Sequence, residues 1–176
     1  MSQNSRWIET EVDDLRIRFA EPQDTGLILQ FIRRLAEYEK LAHEVKASED
    51  GLHDALFGAR PSAEAVLAYH GSDAVGFAIF YHNFSTFLGK PGLYLEDLFV
   101  EPATRGLGVG KALLLFLVRL ARQRGCGRME WSVLDWNTTA IDFYRALGAV
   151  PMDDWTVFRL GEPAMAKLTR ASPEAD

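Results

Sequence analysis

The 176-residue sequence predicts an α/β fold in which helices cover a mixed, mostly antiparallel sheet. Short segments that alternate apolar and polar residues stand between longer segments with apolar residues at helical spacing. A Gly71-Ser72-Asp73 turn joins two of the short segments, which is typical of an antiparallel hairpin. A strand, a long helix and another strand come later, and this order predicts a parallel crossover.

The first elements follow directly from these patterns. The segment from Leu15 to Ala20 alternates apolar and basic residues and predicts the first strand. Asp24 is a suitable N-cap for a helix whose apolar residues recur on one face from Leu27 to Tyr38. Ser48 is suited to begin a short second helix.

The remaining elements follow from the same patterns and from glycines at helix ends, Gly125 and Gly148. They are, in order, strands Ala65–His70 and Val75–His82, a loop Asn83–Gly92, a strand Leu93–Val100, a helix Gly108–Arg124, a strand Arg128–Leu134, a helix from Asn137 through Leu147 and a strand Thr156–Leu160. One domain is expected over residues 15–170, between a flexible extension (1–14) and a flexible tail (171–176).

Composition excludes some classes of protein. Hydrophobic residues make up 48% and charged residues 25%, which is ordinary for a soluble domain. No apolar run reaches the ~20 residues that a membrane-spanning helix needs, and the polar N-terminus does not resemble a signal peptide. A cytoplasmic protein without a membrane partner is therefore expected.

The formal net charge of −6 argues against nucleic acid as a partner, since general nucleic-acid binders are more often basic. Two interpretations of this charge stay open. An acidic surface attracts a cationic small molecule and speeds its arrival, or the acidity only aids solubility.

The sequence holds one cysteine, Cys126, so no intrachain disulfide is possible. We expect it to be a structural residue in a turn rather than a nucleophile, because no histidine lies near it in sequence. No metal is expected either, because the histidines lack metal-ligand spacing. These are His43, His53, His70 and His82.

A glycine-rich turn stands between a predicted strand and the long helix. Gly106, Gly108 and Gly110 let the backbone approach a ligand closely. The first N–H groups of a helix lack partners inside it, and the helix dipole is positive at that end. The segment therefore predicts an anion site, most naturally for phosphate.

Two common phosphate-binding patterns do not fit this turn. A Walker A loop requires glycine where Arg105 stands and a hydroxyl residue where Ala112 stands. A dinucleotide fingerprint requires its third glycine at Lys111 or at Leu113, depending on the starting glycine. What remains is a shorter pattern that begins with Arg105.

Glu96 and Asp97 are adjacent acids in an otherwise apolar strand. Regular alternation predicts that they point to opposite faces and do not form a carboxylate pair on one side. A charge in such a strand is costly unless it is paired or used. A functional role is favoured for Glu96, and for Asp97 a functional role and a structural ion pair stay equally open.

Asn137 and Tyr144 lie near the start and the end of the last predicted helix. Asn137 is a sound N-cap by chemistry alone. Tyr144 shares a helix face with Ile141 and Leu147, so a core role is one interpretation. Its hydroxyl group is a polar tip that needs a partner when buried, which leaves a functional role open.

Two segments resemble the GCN5-related N-acetyltransferase (GNAT) superfamily. Arg105 to Gly110 resembles its Arg/Gln-x-x-Gly-x-Gly/Ala signature, and Asn137 to Ala149 resembles its Asn-x-x-x-x-x-Phe-Tyr-x-x-x-Gly-Ala segment. The resemblance implies the GNAT fold, with helices on both faces of the sheet and a splayed parallel strand pair. It also implies acetyl-coenzyme A as co-substrate, with the diphosphate on the glycine turn and Tyr144 protonating the leaving thiolate.

The resemblance further implies which residues contact acetyl-coenzyme A. They belong to the strand before the turn, to the turn itself and to the last helix. They are Leu98, Phe99, Val100, Arg105, Gly106, Leu107, Gly108, Val109, Gly110, Lys111, Asn137, Ala140 and Tyr144.

Further segments resemble one branch of the superfamily, the diamine (spermidine/spermine-type) N-acetyltransferases. They are Leu35–Lys40, Val75–Ala78, Gly89–Asp97 and Asp135–Asn137. This resemblance implies a homodimer that acetylates a small cationic amine, either a polyamine or a thialysine-like compound. The substrate-binding residues it implies are Tyr38, Glu39, Glu96, Asp97 and Asp153, with Asp154 as the alternative to Asp153.

Together these inferences predict direct acetyl transfer in a ternary complex. Glu96 would accept the proton of an ammonium group with a pKa of ~10, directly or through a water, and the free amine would attack the thioester. A backbone N–H near Leu98 would stabilise the oxyanion. Two alternatives stay open: transfer to an amino acid, aminoglycoside or protein amine, and a non-catalytic acyl-coenzyme A-binding module.

Overall fold

The computed structural model describes residues 7–171. Its strands are β1 (Ile8–Glu9), β2 (Leu15–Phe19), β3 (Glu64–His70), β4 (Asp73–Ser85), β5 (Lys90–Val100) and β6 (Arg128–Trp131). Its α-helices are α1 (Thr25–Tyr38), α2 (Glu49–Phe57), α3 (Val109–Gln123), α4 (Thr138–Ala146) and α5 (Glu162–Ala171). Short 3-10 turns precede α1, α2 and α3.

The strands form one sheet in the order of the sequence, β1 to β6. Neighbouring strands are antiparallel except β5 and β6, which are parallel. The hairpin between β3 and β4 turns on Gly71, whose φ of +61° suits glycine. A parallel neighbour requires a long crossover, which α3 supplies. The predicted mixed, mostly antiparallel sheet is therefore confirmed.

Helices pack on both faces of this sheet. On one face Phe31 of α1 stacks on Phe77 of β4, with ring centres 5.5 Å apart. The neighbouring residue Gly76 points to the other face, where a Cβ atom would lie within 3.5 Å of Val109 and Leu113 of α3. Glycine thus allows α3 to approach β4 closely, and the prediction of a sheet covered on both faces is confirmed.

The parallel pair is short. Its register runs from Gly92 and Arg128 to Leu95 and Trp131. Beyond Leu95, the last five residues of β5 have no pairing with β6 in the described part of the chain. The two strands thus separate after Leu95, before β5 reaches the glycine turn, as expected for a splayed pair.

A buried ion pair joins strand β2 to the start of α1. The guanidinium of Arg18 donates to both carboxylate oxygens of Asp24, at 2.6 and 2.9 Å, and to the hydroxyl oxygen of Tyr69 at 3.0 Å. Asp24 also accepts from the backbone N–H of Glu21 at 2.7 Å. Asp24 is the N-cap of α1 by position, but its carboxylate accepts no hydrogen bond from the backbone of that helix, so the predicted side-chain cap is wrong. The carboxylate is instead bound by Arg18 of β2 and by the N–H of Glu21.

Contacts divide the chain into two compact units, one up to Ser132 and one from Val133 onward. The first holds the whole sheet and α1 to α3, and the second holds α4 and α5. A single domain over residues 15–170 stays a prediction. Most of the predicted tail, together with the first six residues of the predicted extension, lies outside the described residues.

Three predicted segments differ from the structure. The predicted loop 83–92 is wrong, because Asn83 pairs with Gly92 and Ser85 with Lys90, which leaves only residues 86–89 as the turn. The predicted strand Thr156–Leu160 is wrong, because no backbone ladder supports it among the described residues. Strand β6 ends at Trp131 instead of the predicted Leu134.

Two observed elements were not predicted. Strand β1 contains only two residues and lies inside the predicted N-terminal extension, where it pairs with β2. Helix α5 begins at Glu162 with Pro163 in its first turn, a position that proline favours. Both elements carry weak local patterns, since one is very short and the other has few large apolar residues.

Candidate active site

The glycine turn has a backbone conformation that depends on glycine. Gly106 and Gly108 have φ angles of +84° and +89°, in the left-handed region that L side chains rarely adopt. Gly108 is the N-cap of α3, and a Cβ on Gly106 would meet no atom within 4 Å. The turn therefore needs two glycines for its conformation and leaves open space beside the first.

The turn presents a row of bare amide groups. The first helical bond of α3 runs from the N–H of Ala112 to the carbonyl of Gly108, at 2.9 Å. Within residues 7–171, five backbone N–H groups before it donate to no acceptor: those of Gly106, Gly108, Val109, Gly110 and Lys111. With the positive end of a 15-residue helix behind them, they form an anion site for which a diphosphate is a suitable ligand.

Strand β5 and the N-terminal segment border this turn. A Cβ on Gly110 would lie 3.6 Å from Val100 and 3.8 Å from Leu98. A Cβ on Gly108 would lie 3.1 Å from Cγ2 of Val12. The sequence did not point to Val12, because it lies in the segment that was predicted to be a flexible extension.

Some predicted contact residues offer only their backbone to a ligand. The side chain of Val109 is 1% exposed and packs near Gly76. Phe99 is also buried, with its ring centre 5.9 Å from that of Phe31. Leu107, in contrast, is half exposed.

A β-bulge lies at the two acids of β5. Ile79 pairs with Asp97 and the next residue, Phe80, pairs with Leu95, so that Glu96 is the extra residue. The prediction of opposite faces for Glu96 and Asp97 rested on regular alternation, which is interrupted at this point. The regular alternation on which it rested is therefore interrupted, and the prediction that these two side chains lie on opposite faces stays a prediction.

Three carboxyl groups of the first unit share one electrostatic environment. Burial raises the pKa of Asp97 to about 6, and repulsion from Glu96 and Glu39 contributes to the rise. Burial also raises the pKa of Glu39, which caps the C-terminal end of α1. The charge of Glu39 thus influences Asp97, although the two residues lie far apart in sequence, and the roles of the three acids in amine binding stay predictions.

Two tyrosines of neighbouring strands flank this group of acids. Tyr81 stacks on Tyr94 with ring centres 5.1 Å apart, and Tyr94 shares a 2.8 Å hydrogen bond with Ser132. Burial raises the pKa of Tyr81, and the charge of Glu96 raises it further. The sequence did not single out these tyrosines, although their pairing follows from the hairpin register.

Arg105 connects the turn to the predicted amine-binding helix. Its guanidinium carbon lies 4.4 Å from the ring centre of Tyr38, the last residue of α1. Its Nε donates to the carbonyl oxygen of Val100 at 3.2 Å. Arg105, which was predicted to contact the acyl donor, therefore lies against Tyr38, which was predicted to contact the amine.

The second unit holds the other predicted residues. The side chain of Asn137 accepts from the backbone N–H of Ala140 at 3.3 Å, which confirms it as the N-cap of α4. Tyr144 lies on α4 with its ring centre 5.4 Å from that of Phe143. Asp153 and Asp154 lie in an exposed turn after α4. Their roles stay predictions.

Neither a metal-binding cluster nor a membrane-spanning helix is found in the described part of the chain. No group of three or more histidine, cysteine, aspartate or glutamate side chains among residues 7–171 is arranged to hold a metal ion. Over the same residues, no helix combines the length and apolar character needed to cross a bilayer.

The sheet order, the splayed parallel pair and the glycine turn before α3 define the class of the GNAT acetyltransferases. Residues 29–149 match the Acetyltransferase (GNAT) family. Since this match covers more than half of the sequence, the chain belongs to that family.

Individual relatives support the same assignment. The chain is 39% identical over 163 residues to the thialysine N-epsilon-acetyltransferase of Bos taurus, covering 86% of this chain and 95% of that protein. It is 31% identical over 200 residues to the L-ornithine N5-acetyltransferase NATA1 of Arabidopsis thaliana, covering 88% of each. An integron cassette protein from the mobile metagenome of V. cholerae matches with a TM-score of 0.75 and 26% identity, over 90% of this chain and 99% of that chain. The predicted family, fold and N-acetyltransferase activity are confirmed.

Proposed function

We propose that the protein transfers an acetyl group from acetyl-coenzyme A to the terminal primary amine of a small cationic substrate. The observation that carries this proposal is the row of bare amides between Gly106 and Lys111 at the start of α3, which suits the diphosphate of an acyl donor. Glu39, Glu96 and Asp97 lie in the same compact unit and support a positively charged acceptor, and Arg105 of the turn contacts Tyr38, the neighbour of Glu39. The pairing of an anion site with a cation site fits an anionic acyl donor and a cationic acceptor.

The donor would bind along β5 and the turn. The N–H groups from Gly106 to Lys111 would hold the diphosphate, which removes the cost of leaving them unpaired. The outer edge of Leu98 to Val100, which lacks pairing with β6, would hold the pantetheine arm through backbone hydrogen bonds. An N–H near Leu98 would stabilise negative charge on the thioester oxygen during transfer.

The acids would bind the amine and remove its proton. An alkylammonium group with a pKa of ~10 is attracted to this negative environment but cannot attack while protonated. Glu96 is the most exposed of the three acids and is the proposed proton acceptor, directly or through a water. Asp97, with a pKa of about 6, is ionised at neutral pH and adds to the attraction.

Tyr144 is the proposed proton donor to the leaving sulfur. This role rests on the resemblance of the segment around it to the family's Phe-Tyr segment, and on a phenol being a suitable acid for a thiolate. The nitrogen–carbon bond forms as the carbon–sulfur bond breaks, and no covalent enzyme intermediate is required.

The names of two relatives support a particular class of acceptor. Thialysine and ornithine are amino acids that carry a primary amine at the end of the side chain, and the names of two relatives state that those proteins act on them. We infer that this chain acetylates a terminal side-chain amine of this kind. A polyamine is the second candidate, because the same acids would attract any small polycation.

A thiol-release assay tests the proposal. Acetyl-coenzyme A would be supplied with thialysine, ornithine, spermidine or an aminoglycoside. We expect turnover with thialysine or ornithine, a loss of at least 100-fold in Glu96→Gln, and wild-type rates in Glu37→Gln, which removes an exposed acid from α1. Binding of acetyl-coenzyme A without turnover on any amine would contradict the proposal and indicate a binding module.

Two further expectations accompany this function. The resemblance to the diamine branch implies a homodimer, and the sequence composition favours a cytoplasmic protein. Light scattering coupled to size-exclusion chromatography tests the first, with a mass near twice the 19.8 kDa of one chain expected. A mass equal to one chain would contradict it.

A further inference from the structure

The turn that connects β1 to β2, here called the N-terminal turn (Thr10–Leu15), is closed by its own hydrogen bonds. The hydroxyl of Thr10 donates to the carbonyl oxygen of Leu15 at 2.9 Å and accepts from the backbone N–H of Val12 at 3.1 Å. The N–H of Leu15 donates to the carbonyl oxygen of Val12 at 3.2 Å. These bonds fix the position of Val12 within the turn.

The N-terminal turn is also bound to the hairpin between β3 and β4. The N–H of Gly71 donates to the carbonyl oxygen of Asp14 at 3.0 Å. In return, Nη2 of Arg16 donates to the carbonyl oxygen of Gly71 at 3.3 Å. The turn is therefore held at the end of the sheet where this hairpin lies.

The glycine turn follows β5 at the same end of the sheet. Because neighbouring strands here are antiparallel, β2 and β4 begin at this end, and β3 and β5 end there. Gly76, near the start of β4, pairs with Val100, the last residue of β5. Val12 thus lies beside Gly108, where a Cβ atom would stand 3.1 Å from the Cγ2 of Val12.

The backbone angles of Gly108 decide where the amides of the glycine turn point. Gly108 has a φ of +89° and is the N-cap of α3, so it orients the peptide groups on both of its sides. Glycine accepts positive and negative φ angles about equally and loses more conformational freedom on ordering than any other residue. The half-buried side chain of Val12 restricts this freedom by occupying the space beside Gly108.

We propose that Val12 is a positioning residue of the acyl-donor site, which holds Gly108 in the conformation that directs the amides of the glycine turn toward a diphosphate. This inference rests on the proposed function and adds to it a residue outside the segments that resemble the family. Without Val12 a smaller fraction of the molecules has a turn that is competent to bind, and the apparent dissociation constant rises in inverse proportion to that fraction. The chemical step would be unaffected, because Val12 acts only through the turn.

Calorimetric titration of the full chain with coenzyme A measures this effect. Val12→Ala removes two half-buried methyl groups and should raise the dissociation constant about fivefold. Val12→Ile keeps Cγ2 and should stay within about twofold of the wild type. Val118→Ala removes the same groups from an exposed position on α3 and should leave the dissociation constant unchanged.

Steady-state kinetics separate positioning of the donor from a general loss of structure. With thialysine as acceptor, Val12→Ala should raise the KM for acetyl-coenzyme A by the same factor and leave kcat unchanged. Should Val12→Ala fail to fold, Thr10→Val serves instead. It removes the hydroxyl that closes the N-terminal turn but keeps Val12, and it should raise the dissociation constant of coenzyme A in the same direction.

Paired variants test whether Val12 acts through Gly108. The Cβ in Gly108→Ala would meet Val12, whereas the Cβ in Gly106→Ala would meet no atom of residues 7–171 within 4 Å. The losses of affinity from Val12→Ala and Gly106→Ala should therefore multiply when the two changes are combined. Those from Val12→Ala and Gly108→Ala should combine to less than their product, because Val12→Ala makes room for the new Cβ.

An unchanged dissociation constant in Val12→Ala would overturn the inference. So would an equal loss of affinity in Val118→Ala, a fall in kcat without a rise in the KM for acetyl-coenzyme A, or losses that multiply fully with Gly108→Ala. Each of these results leaves the proposed function standing. A wild-type chain that does not bind coenzyme A contradicts the proposed function as well.

Discussion

Replacement of the half-buried acid of β5, Asp97→Asn, is expected to stabilise the fold and to do so more strongly at higher pH. Burial and the nearby acids raise the pKa of Asp97 from 3.8 to about 6. The folded state therefore holds its proton more tightly than the unfolded state, and the associated stability is lost as the pH rises from about 4 through about 6. Asparagine stays uncharged, so the variant does not lose this stability as the pH rises.

The magnitude follows from these two pKa values. A rise from 3.8 to about 6 corresponds to about 3 kcal/mol at a pH above both values, since one pH unit is worth ~1.36 kcal/mol. At pH 5 only part of this cost has appeared, about 1.6 kcal/mol on the same basis. The stabilisation by Asp97→Asn should thus grow by about 1.4 kcal/mol between pH 5 and pH 8.

Urea unfolding of both chains at the two pH values measures this difference. Asp142→Asn serves as the control, because Asp142 is exposed on α4 and belongs to no ion pair among residues 7–171, so its replacement should give the same small effect at both pH values. A difference between wild type and Asp97→Asn that does not change with pH would refute the reasoning. An acid retained at such a cost fits a functional position, since active sites commonly reduce stability.

Three other predictions concern the ion pair, the turn and the proton donor. Asp24→Ala leaves the buried guanidinium of Arg18 without its carboxylate partner. The free energy of unfolding, measured by urea titration, should therefore fall by about 3–5 kcal/mol. A loss below about 1 kcal/mol would contradict this prediction. Gly106→Ala should weaken coenzyme A binding about tenfold, because an alanine in the left-handed conformation costs ~1–2 kcal/mol. Gly108→Ala should weaken binding further, since the Cβ of that alanine would also contact Val12. Unchanged coenzyme A affinity in both variants would show that the turn tolerates side chains. Tyr144→Phe should slow acetyl transfer about 100-fold in single-turnover measurements with little effect on acetyl-coenzyme A affinity, and an unchanged rate would reject the proton-donor role.

The sequence was sufficient where local chemistry decides the structure. The start of α3 after Gly108, the cap formed by Ser48 on α2 and the cap formed by Asn137 on α4 each depend on one residue and its immediate neighbours. For that reason these elements appear where the sequence predicts them.

The sequence was not sufficient where pairing between distant residues decides the structure. The bulge at Glu96 arises from the register between β4 and β5, and nothing local marks Glu96 as the extra residue. The strand predicted at Thr156–Leu160 has a suitable alternating pattern but lacks a neighbouring strand in the described residues. The contact between Arg105 and Tyr38 is likewise a product of the assembled fold.

The central claim is that the amides at the start of α3 bind the diphosphate of the acyl donor. Calorimetric titration with coenzyme A and with pantetheine, which has the same thiol arm but no diphosphate, tests it most directly. We predict that coenzyme A binds and that pantetheine binds at least 100-fold more weakly, since several charge-assisted hydrogen bonds are lost. Equal affinity for the two compounds, or no affinity for coenzyme A, would contradict the claim.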